Sequence, residues 1–230
     1  MGTQLARPRY LDAITAVFVT ALVVSNIIAG KQVAFTSTLI LPAAVILFPL
    51  TYILGDVLTE VYGYQCCRRV IWIGFGCSAL TVAAIAISGW LRPAGFWDGQ
   101  SAYMRTLGAV PRIVVASFLA YLVGEFVNSY VLAKLKVVTA GRLLWLRTIG
   151  STVLGQFVDS GVFITVAFLG VFPAGQVLRL VVAQWLFKVA YEVVATPLTY
   201  AVVGWLKRRE GRDHFDISTD FTPLRLRLSS

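Results

Sequence analysis

Residues 70–91 read VIWIGFGCSALTVAAIAISGWL, a stretch without a single charged side chain. An α-helix rises about 1.5 Å per residue, so a helix of this length crosses the hydrocarbon core of a bilayer, which is about 30 Å thick. Five further apolar stretches complete a set of six predicted transmembrane helices, near residues 10–29, 38–61, 70–91, 112–134, 149–171 and 176–205. We therefore expect an all-α fold, a polytopic transmembrane bundle of six helices.

Composition supports the same fold class. Of the 230 residues, 58% are hydrophobic and 13% are charged, whereas soluble domains are about half apolar and a quarter charged. Closed β-barrels would show short alternating segments, and that pattern is absent from the sequence. The first apolar stretch is long enough to span and lacks a small-residue cleavage pattern. We expect a cytoplasmic N-terminal arm over 1–9, a transmembrane domain over 10–205 and a basic cytoplasmic tail over 206–230.

The positive charges are distributed unevenly between the loops. The formal net charge is +9, and most lysines and arginines fall in the N-terminal arm, the second and fourth loops and the tail. Because positive residues favour the cytoplasmic side, this pattern predicts both termini in the cytoplasm of a multi-pass inner (plasma) membrane protein. The charge therefore reflects topology, and we expect no nucleic-acid partner. The tail sequence Lys207-Arg208-Arg209 can contact anionic membrane lipids.

Prolines mark irregular places in the predicted spans. Pro42 and Pro49 fall inside the second span and Pro197 falls inside the sixth, where each removes a backbone donor. The second span is either a broken helix that lines a binding site or a helix with a packing kink. The long external connection over 92–112 is either a lid or an interfacial segment anchored by its aromatic residues.

Three predicted helices each carry a polar stripe at helical spacing. The fourth presents Tyr121, Glu125 and Asn128, the fifth presents Gln156 and Asp159, and the sixth presents Gln184, Lys188 and Glu192. Their positions along each helix put Glu125, Asp159 and Lys188 roughly 15 to 20 Å inside the bilayer, so they can meet in one cavity.

Charges at this depth usually face a partner or a substrate. Lys188 and Glu192 are one helical turn apart and can pair, but one lysine cannot neutralise three carboxylates. The stripes therefore predict a binding site for a small polar or cationic solute, with Trp185 or Phe187 stacking on it. Pro49 within the second helix, Asp56 and Glu60 near its cytoplasmic end, and the following Arg68 have a gating or a structural role.

The sequence gives no support for an enzyme. The only histidine is His214 in the tail, which excludes His-based metal or nucleophile chemistry inside the membrane. Asp56 and Asp159 are the one aspartate pair within the spans for a two-aspartate mechanism. We expect no catalytic residue, no metal site and no cofactor. The chain also lacks a GxxxxGK[ST] loop, so any ATP-derived energy must come from a partner.

Several strings resemble those of the queuosine precursor transporters, a family also grouped with vitamin uptake transporters. The resemblance runs from Asn26 to Pro197. It is carried by Ser25-Asn26, Phe48-Pro49, the string Asp56-Val-Leu-Thr-Glu60-Val-Tyr62-Gly63, Arg68-Arg69, the string from Ala116 to Glu125, Ser151-Thr152, Gly155 with Asp159, and Phe187-Lys188. Some members carry Gln in place of Glu125 and Asp in place of Asn128 and of Gln184.

This resemblance implies import of 7-deazaguanine compounds for tRNA modification, such as 7-cyano-7-deazaguanine (preQ0), 7-aminomethyl-7-deazaguanine (preQ1) or queuine. It implies helices packed as in the substrate-binding subunits of energy-coupling-factor transporters. In this hypothesis Asp159, Glu125 and Glu192 accept from the base edge, and Lys188 holds a carbonyl oxygen or balances a carboxylate in the empty state. The amides of Asn26, Asn128, Gln156 and Gln184 complete the hydrogen bonds. The alternative is a substrate-binding subunit that needs a separate ATP-hydrolysing module, for this or another vitamin-like solute. A homo-oligomer is also left open.

Overall fold

The computed structural model describes residues 8–37, 39–138 and 144–211. The described chain is almost entirely helical and has six long helices and one short one. Their bounds are α1 Leu11–Ile28, α2 Phe48–Tyr62, α3 Tyr64–Trp90, α4 Gln100–Leu107, α5 Val110–Val138, α6 Leu144–Phe168 and α7 Ala174–Glu210. The six long helices correspond to the six predicted spans, and α4 lies within the long connection over 92–112.

The second predicted span is wrong over its first ten residues. Residues 38–47 do not begin a helix: strand β1 (Gln32–Ala34) pairs antiparallel with β2 (Ile40–Pro42), and a 3-10 turn (Ala43–Ile46) follows. Both prolines contribute to this difference. Pro42 ends β2, and Pro49 sits in the first turn of α2, where a missing N–H costs nothing. The expected bend at Pro49 is therefore absent, because α2 begins beside it.

The end of β2 and the 3-10 turn are buried in the protein although they are not α-helical, whereas the tip of the hairpin is exposed. Leu41, Ala43 and Ala44 are buried, and the Ala43 N–H donates to the carbonyl of Lys31 at 2.8 Å. Irregular backbone at membrane depth is tolerated only where protein or water covers it, since lipid offers no hydrogen-bonding partner. The buried end of β2 meets this condition because β2 packs against α7.

Two hydrophobic clusters hold opposite ends of the bundle. The first joins the end of α1, the start of α5, the end of α6 and the start of α7, and includes Ala29, Ile113, Ile164 and Val181. Arg112 supports this end, because its guanidinium donates to the carbonyls of Val166 and Leu169 where α6 finishes. The second cluster, which we call the terminal cluster, is formed by Ile53, Val57, Val61, Ala195, Val203 and Leu206.

Both chain ends of the helical bundle lie on the side of the terminal cluster. Glu210 at the end of α7 accepts from the Tyr10 N–H at the start of α1 at 2.9 Å and from the Tyr62 hydroxyl at the end of α2 at 2.8 Å. The starts of α1 and α3 and the ends of α2 and α7 therefore share one face of the molecule. This arrangement agrees with an even number of membrane crossings.

Three helical stretches of the described chain are long and apolar enough to cross a membrane. They are Leu11–Ile28, Tyr64–Trp90 and Gln100–Gly124, and a fourth apolar stretch, Val153–Phe168, is shorter. Helix α2 has only 15 residues, and α7 carries charged side chains along its length. The expectation of a helical, multi-pass bundle is confirmed at this level.

Candidate functional site

A buried ion pair joins α6 to α7 in the middle of the bundle. The Lys188 ammonium donates to the Asp159 carboxylate, and the two side chains are only 4% and 17% exposed. The Lys188 Nζ also lies 4.6 Å from the ring centre of Phe48 and 5.5 Å from that of Tyr52, both on α2. Three helices thus converge on one cation, which is held by a carboxylate and two aromatic faces. We call Phe48, Tyr52, Asp159 and Lys188 the ion-pair site.

Asp159 is fixed in place by the close approach of α5 to α6. At Gly124 of α5, an added Cβ would lie 3.0 Å from the Asp159 Cβ and 3.4 Å from the Gly155 carbonyl oxygen. A larger residue at 124 would push the two helices apart, so glycine is the residue that lets them touch. The contact holds the backbone of Asp159 and sends its carboxylate toward α7.

Two glutamines at the site keep an acceptor without a partner. Gln184 lies one helical turn before Lys188, is only 5% exposed, and its Oε1 has no hydrogen-bond partner. Gln156 lies one turn before Ser160 on α6, its side chain lies near the Tyr52 hydroxyl, and its Oε1 is also unpartnered. Buried acceptors usually find a donor, because an unmade hydrogen bond costs about 1–3 kcal/mol. These two carbonyl oxygens are therefore free to accept further hydrogen bonds, as are several other buried polar atoms of the described chain, such as those of Ser25 and Ser78.

Two further carboxylates lie beside the ion-pair site on its side toward the chain ends. Glu192, one turn after Lys188, is close enough to Asp56 of α2 for their charges to interact, and it also acts on Tyr52. Neither carboxylate forms an ion pair within the described residues. Lys188 pairs with Asp159 rather than with Glu192, and the binding role of these carboxylates stays a prediction. Hydrogen-bond acceptors consequently outnumber donors in this part of the bundle.

The aromatic rings predicted to stack on a solute have other neighbours. The Trp185 indole N–H donates to the Val153 carbonyl at 3.1 Å, and its ring packs edge-on against Phe157. The Phe187 ring stacks on Tyr191 with centres 6.3 Å apart. The solute-stacking role of Trp185 and Phe187 stays a prediction.

Sequence reasoning missed Phe48 and Tyr52, the two rings that face Lys188. Their four-residue spacing places them on one face of α2, with Asp56 a further four residues along. The four-residue spacing is present in the sequence. A predicted helix that begins at 38 places Phe48 and Tyr52 in mid-span beside two prolines, so the start of α2 is not recognised there.

The remaining predicted binding residues are placed as follows. Asn26 of α1 is buried; its Oδ1 accepts from the Ser117 hydroxyl of α5 at 2.8 Å, and its Nδ2 has no partner. Tyr121 packs its ring against Phe75 of α3, with ring centres 5.6 Å apart. The side chains of Glu125 and Asn128 lie outside the described residues, so their predicted roles stay predictions.

The predicted gating residues lie nearer the chain ends. Glu60 pairs with Lys207 of α7, with Nζ and Oε2 3.0 Å apart. Arg68 is only 4% exposed, and its guanidinium lies 5.5 Å from the ring centre of Tyr64. The Glu60–Lys207 pair joins the ends of α2 and α7, and the Arg68–Tyr64 contact lies within the first turns of α3.

Two surface cavities of the described chain lie away from the ion-pair site. One of about 280 Å³ is lined by the end of α3, by α4 and by the connection between them, including Arg92, Trp97 and Tyr103. The other, of about 360 Å³, is an apolar groove between α3 and α5 that includes Trp72 and Phe118. Within the described residues, no group of three His, Cys, Asp or Glu side chains is placed to hold a metal ion.

Apolar helices around a buried, partly unpartnered polar cluster define a multi-pass membrane protein with an internal polar site. Comparison with known proteins places the chain more narrowly. The family model described as "Putative vitamin uptake transporter" matches residues 42–202, and the chain belongs to this family.

The curated relatives carry a consistent name. A "Probable queuosine precursor transporter" of Bacillus subtilis is 35% identical over 64% of this chain and 64% of its own length. The "Queuosine precursor transporter" of Escherichia coli is 28% identical over 68% of this chain and 69% of its own. The chain therefore spans less than two thirds of the Bacillus relative. No solved structure matches the chain.

Proposed function

We propose that this protein is a membrane carrier that imports queuosine precursors, 7-deazaguanine bases such as preQ0, preQ1 or queuine. The observation that carries the proposal is the ion-pair site with its two unpartnered glutamines, in a chain whose relatives are named queuosine precursor transporters. The relatives supply the solute class, and the site supplies chemistry that fits it.

The hydrogen-bonding pattern of a 7-deazaguanine base complements that of the site. The base carries adjacent N–H and NH₂ donors and one carbonyl acceptor. Carboxylate and amide oxygens of Asp159, Gln156 and Gln184 accept from the donors, and Lys188 donates to the carbonyl oxygen. The rings of Phe48 and Tyr52, which now face the Lys188 ammonium, offer faces for the flat base. In this proposal the solute takes over contacts that Lys188 and Asp159 make with each other in the empty protein.

The amine-bearing solutes suit the additional carboxylates. Asp56 and Glu192 lie without an ion pair among the described residues on the side of the site toward the chain ends. A protonated aminomethyl group at position 7 of the base can be received there, whereas the neutral nitrile of preQ0 gains no charge interaction.

The orientation follows from the distribution of charge. Arg9, Arg68, Arg69 and the cluster from Lys207 to Arg209 lie at helix ends on the face that carries both chain ends. The positive-inside rule supports placing this face in the cytoplasm of the inner membrane, where the basic cluster also meets anionic lipid. The opposite face, with α4 and the β-hairpin, is then external.

Uptake in a host that can neither make nor import the precursors tests the proposal. The readout is queuosine in tRNA after feeding each radiolabelled base, with guanine as the competitor. Asp159→Asn should abolish uptake, and the matched control Asp12→Asn, at an exposed position in the first turn of α1, should retain it. Uptake by Asp159→Asn at the wild-type rate would contradict the site.

Purified protein in liposomes separates the carrier from the alternative. Saturable uptake by the chain alone supports an autonomous carrier. Solute binding without uptake supports a binding subunit that requires an ATP-hydrolysing module, of the energy-coupling-factor kind. The same preparation gives the oligomeric state by cross-linking.

A further inference from the structure

The path from the ion-pair site to the face that carries the chain ends is closed by side chains. The terminal cluster fills the space between α2 and α7 below Glu192, and three of its residues, Val57, Val61 and Leu206, are at most 2% exposed. Tyr10 and Ile14 of α1 pack against the same cluster, and the ring centres of Tyr10 and Trp205 are 5.4 Å apart. A solute bound at Lys188 cannot leave in this direction unless the cluster separates.

Polar contacts at the end of α7 keep this closure in place. The Glu210 carboxylate accepts from the backbone N–H groups of Arg9 and Tyr10, at 3.2 and 2.9 Å, and from the Tyr62 hydroxyl at 2.8 Å. A carboxylate at the N-terminus of a helix is favoured by the helix dipole, and here it belongs to another helix. One side chain thus ties the end of α7 to the start of α1 and to the end of α2.

A second contact also holds the end of α7 against α2. Lys207, one turn before Glu210, pairs with Glu60 of α2 at 3.0 Å. This pair is partly exposed and contributes little on its own. Together with Glu210 it sets the end of α7 against α2 at two successive turns.

The backbone hydrogen bonding of α7 is interrupted between the ion-pair site and these contacts. Pro197 lies inside α7 and cannot donate to the carbonyl of Val193. The Thr196 and Thr199 hydroxyls bond to the carbonyls of Glu192 and Ala195, at 2.6 and 3.2 Å. Hydroxyls that bond back into the helix in this way favour bending. The turn from Glu192 to Pro197 therefore separates a site half of α7 from an end half.

We propose that the end half of α7, from Pro197 to Glu210, is the gate between the ion-pair site and the face of the chain ends. It swings about the turn at Pro197, and Glu210 is the latch that holds it shut. This inference rests on the proposed carrier function, because a carrier must open its site to each side in turn. The structure is the state closed toward the chain ends.

A buried cysteine in the terminal cluster reports the opening. Val61→Cys introduces a thiol at a position that is 0% exposed, and labelling by a membrane-impermeant maleimide is measured on the full chain in lipid nanodiscs. Mass spectrometry reads the modified position, so the native cysteines stay in place. Ile113→Cys, in the cluster at the opposite end and 1% exposed, serves as the control reporter.

Removing the latch should raise labelling at position 61 and leave position 113 unchanged. Glu210→Gln keeps the size of the side chain and loses its charge, and the expected rise in labelling rate is about tenfold. Tyr62→Phe removes one hydroxyl and should give a smaller rise, about threefold. It decides the matter if Glu210→Gln does not fold.

Stiffening the hinge should reverse the effect. In the Glu210→Gln background, Pro197→Ala restores the missing backbone donor and should return labelling at position 61 to within about twofold of the wild type. Unchanged labelling in folded Glu210→Gln and Tyr62→Phe, or an equal rise at position 113, would overturn the gate. If Pro197→Ala does not lower the labelling of the Glu210→Gln variant, the proposed hinge is wrong. Because the readout needs no solute, failure of the gate is separate from failure of uptake.

Discussion

Two polar regions of α7, around Lys188 and around Glu210, lie 22 residues apart and differ in how their polar groups are satisfied. Around Lys188, the carbonyl oxygens of Gln156 and Gln184 are buried without partners, and Asp56 and Glu192 lack an ion pair among the described residues. Around Glu210, the carboxylate oxygens accept from two backbone N–H groups and a hydroxyl. A region that holds a fold together satisfies its polar groups, and a region that binds a ligand leaves some of them unsatisfied. Substitutions should therefore separate solute binding from stability at one region and not at the other.

The largest effect is expected at the ion-pair site. Asp159→Asn leaves the Lys188 ammonium buried without its counter-charge, which costs about 3–5 kcal/mol, and it removes the acceptor for the base. Uptake should fall at least about 100-fold. Asp12→Asn, the same change at an exposed position, should keep wild-type uptake in the same assay.

A double substitution separates folding from binding in that result. Asp159→Asn with Lys188→Gln replaces the pair by two neutral groups and should recover thermal stability, since no uncompensated charge remains. Uptake should stay at background. If the folded double variant transports at the wild-type rate, the pair is structural and the site lies elsewhere.

The next effect has opposite signs for binding and for stability. Gln184→Leu removes a buried acceptor that has no partner, so the melting temperature should stay the same or rise by a few degrees. The KM for uptake should rise about tenfold, because one hydrogen bond to the solute is lost. The exposed Gln176→Leu, in the first turn of α7, should change neither quantity.

The opposite outcome is expected at the end of α7. Glu210→Gln weakens three accepted hydrogen bonds and should lower the free energy of unfolding by about 1.5–3 kcal/mol. The Kd for the solute should stay within about twofold of the wild type, because the site is more than four helical turns away. Calorimetry for binding and thermal unfolding in the same lipid measure both. A large loss of solute affinity in Glu210→Gln would show that the two regions are energetically coupled.

The smallest effect belongs to the exposed pair. Lys207→Gln removes the contact with Glu60, whose side chain is 63% exposed, so the loss of stability should be about 0.5 kcal/mol or less. Thermal unfolding at low and high salt checks it. A loss as large as that of Glu210→Gln would mean that the pair carries more of the closure than its exposure allows.

Part of this architecture is predictable from spacing alone. Apolar length gives the helices, and the four-residue spacing of Gln184, Lys188 and Glu192 gives one face of α7 that meets Asp159 of α6. Spacing predicts faces and not neighbours, however. The local pairing of Lys188 with Glu192 was as available as the pairing with Asp159, and only the packing of α6 on α7 decides between them.

The parts that the sequence did not predict depend on contacts between distant segments. The hairpin before α2 forms because Pro42 and Pro49 interrupt an otherwise apolar stretch, and its apolar residues alone read as a helix. The contact of Glu210 with the start of α1 joins residues 200 positions apart. Both features are set by tertiary packing, which a periodic pattern does not encode.

The decisive experiment is uptake of radiolabelled preQ0, preQ1 and queuine into liposomes that contain the purified protein. We expect saturable uptake of at least one of these bases, with only weak competition by unlabelled guanine, and loss of this uptake in the folded Asp159→Asn with Lys188→Gln variant. Absence of both binding and uptake for all three bases, or undiminished uptake by that variant, would contradict it.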